Sequence, residues 1–343
     1  MLSANHFTAG FQYMSFIEGI ADAVRRVVMD DALRACEGTN GEVFWVVEDS
    51  DPDYNVLLQR YSAKNVFTTL AGAYAAVTTN RNDIIYLSGQ STHSVTTGIA
   101  WSKSRIHVIG LDGGGRLVQQ GSKVQTATAD TTAYVIKNTG VRNTFRNVKF
   151  IQASTDALAL HVLEEGGEGN LYDHCSFTFG VVSNLDLTTA SEVIMGGDSD
   201  TFTWCQFGQD TLLTSAARSI MTIDQVTASQ ECKSNVFADC TWLGSSSDAG
   251  LQAISMAAAG DILFTNHFIR PSFIASLDSA GGIACTKAVS TANGTTKGTI
   301  LISYPMVHGF DDVGINGTNN DNLYVFSHVP SAANITSAKP TTA

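Results

Sequence analysis

The sequence predicts a parallel β-helix, a solenoid of stacked coils, with an α-helical segment at its N-terminal end. Two observations support this fold class. Six short segments place a bulky residue at intervals of a few tens of residues, and the composition is polar without being strongly charged. Of the 343 residues, 44% are hydrophobic and only 15% are charged. Helical bundles usually carry far more Lys and Glu, so the composition favours sheets separated by turns.

The N-terminal segment, residues 1–40, has the pattern of an amphipathic helix with aromatic residues before it. Its apolar positions recur with a period of about 3.6 residues, and Gly38 and Gly41 follow as a stop signal. Such a face packs either on the core of its own chain or on another protein, and the pattern leaves both open. The residues that would make this contact are Phe7, Phe11, Phe16, Ile17, Ile20, Val24 and Val27.

The next stretch combines a buried strand with an acidic turn. Residues 43–47 have the pattern of a strand, and Asp49, Asp51 and Asp53 follow at alternating positions. Carboxylates at that spacing could hold Ca²⁺, but the Gly and the distal Glu of an EF-hand loop are missing. A solvated turn is therefore the expectation.

Residues 64–79 predict a short helix, after which strands dominate. The segments DIIYL (83–87) and GIAWSKSRIHVIGL (98–111) are rich in β-branched and aromatic residues. The run DGGGR (112–116) lacks the Gly-Lys-Ser/Thr of a phosphate loop and predicts a tight turn between coils. The resulting layout is a helical attachment or capping segment (1–40), a β-helix (41–325) and a C-terminal tail (326–343).

The repeated segments supply the length of one coil. They are FRNVKF (145–150), LYDHCSF (171–177), FTWCQF (202–207), VFADCTW (236–242), LFTNHF (263–268) and LISYPM (301–306). Their final bulky residues are 27, 30, 35, 26 and 38 residues apart, and periods of roughly 20–50 residues are typical of solenoids and related repeats. A β-sandwich is the main alternative, but it would need hairpin turns, and tight Asn-Gly pairs such as those at 293–294 and 316–317 are scarce.

Each repeated segment predicts two inward-facing columns, because residues two apart in a strand face the same way. The bulky column is Phe150, Phe177, Phe207, Trp242, Phe268 and Met306. The column two residues earlier is Val148, Cys175, Cys205, Cys240, Asn266 and Tyr304. Stacked coils would therefore place a cysteine ladder beside an aromatic ladder inside the tube.

The triplet Asp-His-Cys at 173–175 holds the residue types of a cysteine nucleophile with its base, or of a metal site. A nucleophile needs a dedicated base and an orienting group. The equivalent cysteines, Cys205 and Cys240, follow Trp204 and Asp239 instead of a histidine. The triplet is therefore predicted to be a structural rung, with a nucleophile and a metal ligand as the alternatives.

Two carboxylate clusters are the best catalytic candidates. They are Asp198 and Asp200 in GGDSD, and Asp311 and Asp312 in HGFDD. Paired acids cleave glycosidic bonds, and acids that bind Ca²⁺ serve lyases. The clusters lie several coils apart, so solvated loop acids are the expectation. No catalytic, cofactor-binding or metal-binding residue is predicted.

Charge and cysteine usage exclude some functional classes. The net charge of −12 argues against nucleic acid, because phosphate binding requires a basic face. No apolar run approaches the ~20 residues that span a bilayer, and no positively charged region opens the chain. The six cysteines include no C-x-x-C pair, so we expect reduced thiols and folding in a cytoplasm.

Residues 43–180 resemble a group of right-handed β-helix proteins encoded among tailed-bacteriophage structural genes. The similar motifs are a D-x-I-x-L strand (83–87), a T-H-x-V element (92–95), a strand ending V-I-G-L (108–111) and an N-V-x-F rung (147–150). The resemblance implies a virion component, either a capsid-decorating or head-fibre protein or a tail spike or fibre. Such proteins are commonly trimers. The aromatic N-terminal segment is not part of the pattern.

The first hypothesis is a non-enzymatic virion protein, slightly favoured as capsid decoration, that is assembled in the host cytoplasm and attached through residues 1–36. Its expected partners are the major capsid protein or other virion proteins, and two sister chains of a homotrimer. The second hypothesis is a tail spike that binds or cleaves host surface polysaccharide. A free β-helix lyase is the third. No cofactor, nucleic acid or membrane is expected.

Overall fold

The computed structural model describes residues 41–89, 91–111, 121–224, 226, 232–256, 265–277, 285, 288–290, 299–310, 323–326 and 337–338. The predicted contact residues of segment 1–40 lie outside these ranges, as do the run at 112–116 and the acids Asp311 and Asp312.

The described strands form three sheets, A, B and C, and the chain visits them in that order in each coil. Every pairing between coils is parallel, and only β26 with β27 is antiparallel. The fold is therefore the predicted right-handed parallel β-helix.

Sheet A contains β1 (Val43–Val46), β2 (Val66–Phe67), β3 (Asp83–Leu87), β6 (Ile106–Gly110), β9 (Thr144–Arg146), β12 (Leu171–Asp173), β15 (Thr201–Thr203), β18 (Val236–Ala238), β21 (Thr265–Ile269), β24 (Thr299–Ser303), β26 (Leu323–Phe326) and β27 (Ser337–Ala338). Sheet B contains β4 (Thr92–Val95), β7 (Lys123–Thr126), β10 (Lys149–Gln152), β13 (Ser176–Phe179), β16 (Gln206–Thr214), β19 (Thr241–Ser246), β22 (Ser272–Leu277) and β25 (Met306–His308). Sheet C contains β5 (Ile99–Trp101), β8 (Ile136–Asn138), β11 (His161–Glu165), β14 (Ser191–Met195), β17 (Ser219–Ile223), β20 (Gln252–Met256) and β23 (Val289–Ser290).

Two columns of aromatic rings fill the interior, one from sheet A and one from sheet B. The sheet A column is Phe145, Tyr172, Phe202, Phe237 and Phe268, with ring centroids 4.5–5.0 Å apart and nearly parallel planes. The sheet B column is Phe150, Phe177, Phe207, Trp242 and Phe273. Burying each ring stabilises the fold by roughly 1.5–3 kcal/mol, so the stack joins one coil to the next. The sequence predicted the sheet B column in its first four coils and missed the sheet A column.

The predicted register of the last two coils is wrong. Phe268 pairs with Phe237 in sheet A, whereas the partner of Trp242 is Phe273. Met306 pairs with Ser272 and is exposed. The error arose because both sheets carry an aromatic column, so a short apolar pattern matches either strand.

Five of the repeated segments are two strands joined by a turn, and not the single strand that the sequence predicted, whereas the described residues of LFTNHF lie in β21. In LYDHCSF, β12 ends at Asp173 and β13 begins at Ser176, and His174 between them has a left-handed backbone with φ of 52°. Cys175 and Phe177 are both fully buried, as expected.

Two short helices cover the first coils. Helix α1 (Tyr54–Tyr61) packs Leu57 on the outer face of sheet A, near Trp45 and Tyr86. Asp51, expected in a solvated turn, is instead buried, because it accepts hydrogen bonds from the backbone N–H of Asp53 and the hydroxyl of Ser88. The sequence did not predict α1.

Helix α2 (Leu70–Ala76) lies within the predicted helix 64–79 but is shorter, because residues 66–67 form β2. The hydroxyl of Thr69 caps it by accepting from the N–H of Gly72 at 3.1 Å. Helix α3 (Val182–Leu185) lies between β13 and β14. No helix in the described part of the chain is long and apolar enough to span a membrane.

Candidate functional site

The turn from sheet A to sheet B repeats one unusual backbone conformation in six successive coils. The residue at this turn has a positive φ of 49–56° in each coil. We call this row the outer ridge; it consists of Asn147, His174, Trp204, Asp239, Arg270 and Tyr304. Parallel strands lie about 4.8 Å apart, so the ridge places one side chain per coil along the tube axis.

Three of these residues are uncommon in a left-handed conformation. Asn, Asp and His adopt it several-fold more often than other L-residues, but Trp204, Arg270 and Tyr304 do not belong to that group. Holding a bulky residue there costs on the order of 1–3 kcal/mol, and such strain concentrates at functional sites. Tyr304 is 57% exposed, so burial does not compensate this cost. The ridge is therefore a candidate site.

Asp173, the last residue of β12, organises the polar groups at one end of the ridge. Its Oδ2 accepts from Arg146 Nε at 3.0 Å, and its Oδ1 accepts from the Thr203 hydroxyl at 2.8 Å. The same Oδ1 lies 2.7 Å from His174 Nδ1. Three coils thus contribute to one network on the outer surface.

Aromatic and charged pairs continue along the ridge. The rings of His174 and Trp204 stack with centroids 6.3 Å apart and planes inclined by 28°. Arg270 donates two hydrogen bonds to Asp239, at 2.7 and 2.6 Å, and this contact raises the pKa of the guanidinium. The ridge therefore offers ring surface, hydrogen-bonding groups and charges that are already paired.

Cys175 faces away from this network, into the tube. Its Sγ donates to the carbonyl of Phe145 at 3.2 Å, and burial raises the pKa of the thiol well above its ordinary value. Cys205 and Cys240 make equivalent contacts, to the carbonyls of Tyr172 and Phe202. The predicted inward, buried position of Cys175 is confirmed, and a protonated, enclosed thiol is a poor nucleophile.

The turn from sheet C to sheet A forms a second row of left-handed residues. This turn row is Asn82, Arg105, Arg142, Gly169, Ser199 and Ser234, with φ of 57–65°. In the last four coils of this row the next residue is buried, and it is Asn143, Asn170, Asp200 or Asn235. Asn266 holds the same register position in the following coil. We call these five residues the inner ladder.

The inner ladder joins the backbones of neighbouring coils. The N–H of Asn143 donates to Asn170 Oδ1 at 2.8 Å, and the N–H of Asn170 donates to Asp200 Oδ1 at 2.6 Å. The side-chain amides of Asn170 and Asn235 donate to the carbonyls of Gly140 and Gly197. Each amide of the ladder therefore satisfies a buried backbone donor and a buried acceptor at the turn.

Asp200 is the one carboxylate of this ladder. The sequence predicted a solvated side chain at this position, and that prediction is wrong. The side chain is fully buried, and its Oδ2 has no hydrogen-bond partner among the described residues. Burial, and then the nearby Glu165, raise the pKa of Asp200 well above its usual range. The other acid of the cluster, Asp198, lies at the surface and pairs with Lys233 at 2.9 Å. The two aspartates therefore do not form a catalytic pair.

Glu165 is the second buried acid of this region. Its Oε1 accepts from the N–H of Gly167 at 2.7 Å and from the amide of Asn170 at 3.2 Å. Its Oε2 accepts from the amide of Asn138 and the hydroxyl of Tyr172. Burial nevertheless raises the pKa of Glu165 to about 7.

No group of three or more His, Cys, Asp or Glu in the described ranges is placed to hold a metal ion. Sequence reasoning named His174, Trp204 and Asp239 only as neighbours of cysteines, took Tyr304 for an inward residue, and overlooked Arg270. One signal could have found the ridge. Every ridge residue is followed directly by a valine, a cysteine or a proline whose side chain lies on the inner side of the turn. These residues are Val148, Cys175, Cys205, Cys240, Pro271 and Pro305.

Comparison with known proteins gives similarity of structure without similarity of sequence. No protein-family model and no curated protein matches the chain. A pectin methylesterase from Aspergillus niger is similar over 87% of this chain and 93% of its own, at 9% identity and a TM-score of 0.49. The pectate lyase Pel9A is similar over 87% of this chain and 83% of its own, at 12% identity and a TM-score of 0.47.

Two bacteriophage proteins are also among the similar structures. ORF18 of Geobacillus virus E2 is similar over 90% of this chain and 64% of its own, at 12% identity and a TM-score of 0.42. The Dettilon tailspike protein is similar over 82% of this chain and 70% of its own, at 9% identity and a TM-score of 0.25. Identities and TM-scores this low show a similar path of the chain and nothing about activity. The function therefore has to be argued from the residues of this protein.

Proposed function

We propose that this chain is a bacteriophage virion protein whose β-helix is a rigid, non-enzymatic structural element. The observation that carries the proposal is that the resembling sequence motifs fall on strands of three consecutive coils of one tube. The motif at 83–87 forms β3, the motif at 92–95 forms β4, and the motif at 108–111 begins within β6. The stacked aromatic columns make this tube stiff, as a projecting or clamping element requires.

The finer proposal is capsid decoration by a homotrimer attached to the major capsid protein through residues 1–36. The apolar, helix-periodic pattern of this segment supports it, because such a face requires a partner surface. Deleting residues 1–36 should leave the β-sheet circular dichroism intact and abolish co-sedimentation with capsids that lack the protein. Retained co-sedimentation of the truncated chain would contradict attachment through this segment.

A point variant makes this test sharper. Ile17→Asp with Val24→Asp places charges on the predicted apolar face, whereas Asp22→Ala changes the predicted polar face of the same segment. The double variant should lose capsid binding by at least tenfold, and Asp22→Ala should retain it. Equal loss in both would indicate that the segment acts through its net charge.

The second candidate is a tail spike that binds or cleaves host surface polysaccharide, and the outer ridge favours binding. Exposed aromatic rings beside paired charges suit a neutral ligand with apolar and hydroxyl-bearing faces. Incubation with host capsular polysaccharide distinguishes the two activities. Release of reducing ends that is abolished by Asp198→Asn would show cleavage, and the structural proposal predicts none.

A further inference from the structure

The outer ridge has the properties of a site for an extended ligand. Its side chains project from six successive coils, so they form a line parallel to the tube axis. Five steps of about 4.8 Å give a line about 24 Å long. We propose that this ridge binds one chain of a neutral, linear glycan along the axis of the β-helix. The proposal deepens the polysaccharide-binding candidate above and does not depend on capsid attachment.

The aromatic residues are the first step of the argument. The backbone at this turn does not require them, because Asn147 and Asp239 adopt the same conformation at no steric cost. Trp204 and Tyr304 adopt it despite that cost, and Tyr304 is left exposed. Bulky rings held at strained, solvent-facing positions are placed for contact with something outside the chain.

The charges of the ridge indicate a neutral ligand. Arg146 is paired with Asp173 at 3.0 Å, and Arg270 is paired with Asp239 at 2.6 Å. Each cation is thus matched by an anion before any ligand arrives. An acidic polymer would meet two carboxylates, and a basic one would meet two guanidinium groups. Hydroxyl groups, in contrast, can donate to Asp173 and Asp239 and accept from the arginines without breaking either pair.

The periodicity suits a repeating polymer. A linear glycan repeats one sugar unit at a length comparable to the spacing of the coils, whereas the surface of a partner with another fold has no reason to repeat at that spacing. In the second and third coils of the line His174 stacks on Trp204, with Thr203 and Asp173 beside them. Ring surface next to hydrogen-bonding groups is the combination that a sugar face requires.

The opposite turn of each coil supplies a matched control. Arg142 is exposed and has the same left-handed backbone, but it belongs to the turn row between sheets C and A. Arg142→Ala therefore changes an equivalent position on another edge. Trp204→Ala and His174→Ala change the ridge without touching the buried columns. Urea unfolding of each variant checks that the fold is retained.

The test uses the full chain and an immobilised array of neutral and acidic linear oligosaccharides, from disaccharides to hexasaccharides. We expect binding to a neutral series, with affinity rising from the disaccharide to the hexasaccharide. Calorimetry with that hexasaccharide should show at least tenfold weaker binding for Trp204→Ala and about threefold for His174→Ala. Arg142→Ala should bind within twofold of the unaltered chain.

Several results would overturn the proposal. They are no binding on the array, binding to acidic glycans alone, affinity that stops rising at the disaccharide, or equal loss in Trp204→Ala and Arg142→Ala. Loss of capsid co-sedimentation in Trp204→Ala without glycan binding would assign the ridge to a protein partner instead. Failure of capsid attachment for the unaltered chain would remove the decoration proposal and leave the glycan result standing.

Discussion

The two turn rows of the β-helix share a backbone conformation and differ in every other respect. The outer ridge joins sheets A and B with positive φ values of 49–56°, and the turn row joins sheets C and A with values of 57–65°. Behind the turn row, the inner ladder binds coil to coil through side-chain amides. Behind the ridge lie thiols, a valine and prolines, while its large side chains face outward.

The difference shows two uses of a turn with a left-handed residue. Its backbone groups can be hydrogen-bonded by side chains in the interior, or its own side chain can be presented on the outer surface. In the turn row, small or flexible residues occupy the strained position, and the specific chemistry lies one residue later in the interior. In the outer ridge, the specific chemistry occupies the strained position itself. The same left-handed turn conformation therefore stabilises the fold at one corner of the tube and, in our account, positions side chains for recognition at another.

The largest effect is expected when the inner ladder is broken. Asn170→Ala removes the acceptor of the Asn143 N–H and the donor to the carbonyl of Gly140. Each buried group left without a partner costs about 1–3 kcal/mol, so unfolding should begin at a clearly lower urea concentration. Fluorescence-monitored urea unfolding measures this. A loss below about 0.5 kcal/mol, which is the range of ordinary surface substitutions, would show that water replaces the ladder.

A pH-dependent effect of intermediate size is expected at Asp200. The pKa values of Asp200 and Glu165 are raised in the folded chain, so folding favours their protonated forms. Their contribution to stability is full below the unfolded pKa values of about 4, and it is lost as pH rises through the folded values, about 7 for Glu165. The melting temperature of the unaltered chain should therefore fall between pH 4.5 and pH 8.

Asp200→Asn should flatten this dependence and raise the melting temperature at pH 8. The amides on either side of it, Asn170 and Asn235, donate to a glycine carbonyl of the preceding coil, and the carbonyl of Gly167 holds the equivalent place here. Restoring this hydrogen bond is worth about 1 kcal/mol. Asn235→Asp is the reverse change and should lower the melting temperature as pH rises. A pH profile unchanged by Asp200→Asn would show that Asp200 is ionised in the folded chain.

A small effect, or a gain, is expected at the ridge. Trp204→Asn removes a bulky side chain from a left-handed position that Asn tolerates. Relief of strain offsets the lost contact with His174, so the free energy of unfolding should stay equal or rise by up to about 1 kcal/mol. Urea unfolding beside Asn170→Ala gives the direct comparison. A loss above about 1 kcal/mol would make Trp204 part of the fold.

The smallest effect is expected for the thiols behind the ridge. In a Cys36→Ser background the five remaining cysteines are all buried. Because burial raises the thiol pKa of Cys175 and Cys205, Ellman's reagent should react with almost none of them until urea is added. Rapid reaction of one thiol in the folded chain, lost in Cys175→Ser, would revive the nucleophile interpretation.

Much of the fold could be predicted from the sequence, because coil length and column composition are local patterns. The strands at 43–46 and 83–87 and the aromatic column from Phe150 to Trp242 followed from periodicity alone. The register of Phe268 did not, because its neighbour Phe273 belongs to a second column with the same appearance.

The candidate site was harder to predict because two of its turns carry no typical turn residue. His174 and Trp204 interrupt two strands without a glycine or proline, so the segment had the appearance of one continuous strand. The burial of Asp200 was equally hidden, since a lone aspartate is usually exposed and only the neighbouring coils supply its hydrogen bonds. Both features depend on what lies one coil away, which a local pattern does not contain.

A structure of the chain with a bound neutral hexasaccharide tests the central claim most directly. Our account predicts one sugar chain parallel to the tube axis, with a sugar ring against Trp204 and hydroxyl groups near Asp173. It also predicts that the turn row around Arg142 stays free of sugar. A glycan bound at another edge or across a sheet face, or one that leaves Trp204 uncovered, would contradict the assignment of the outer ridge to recognition.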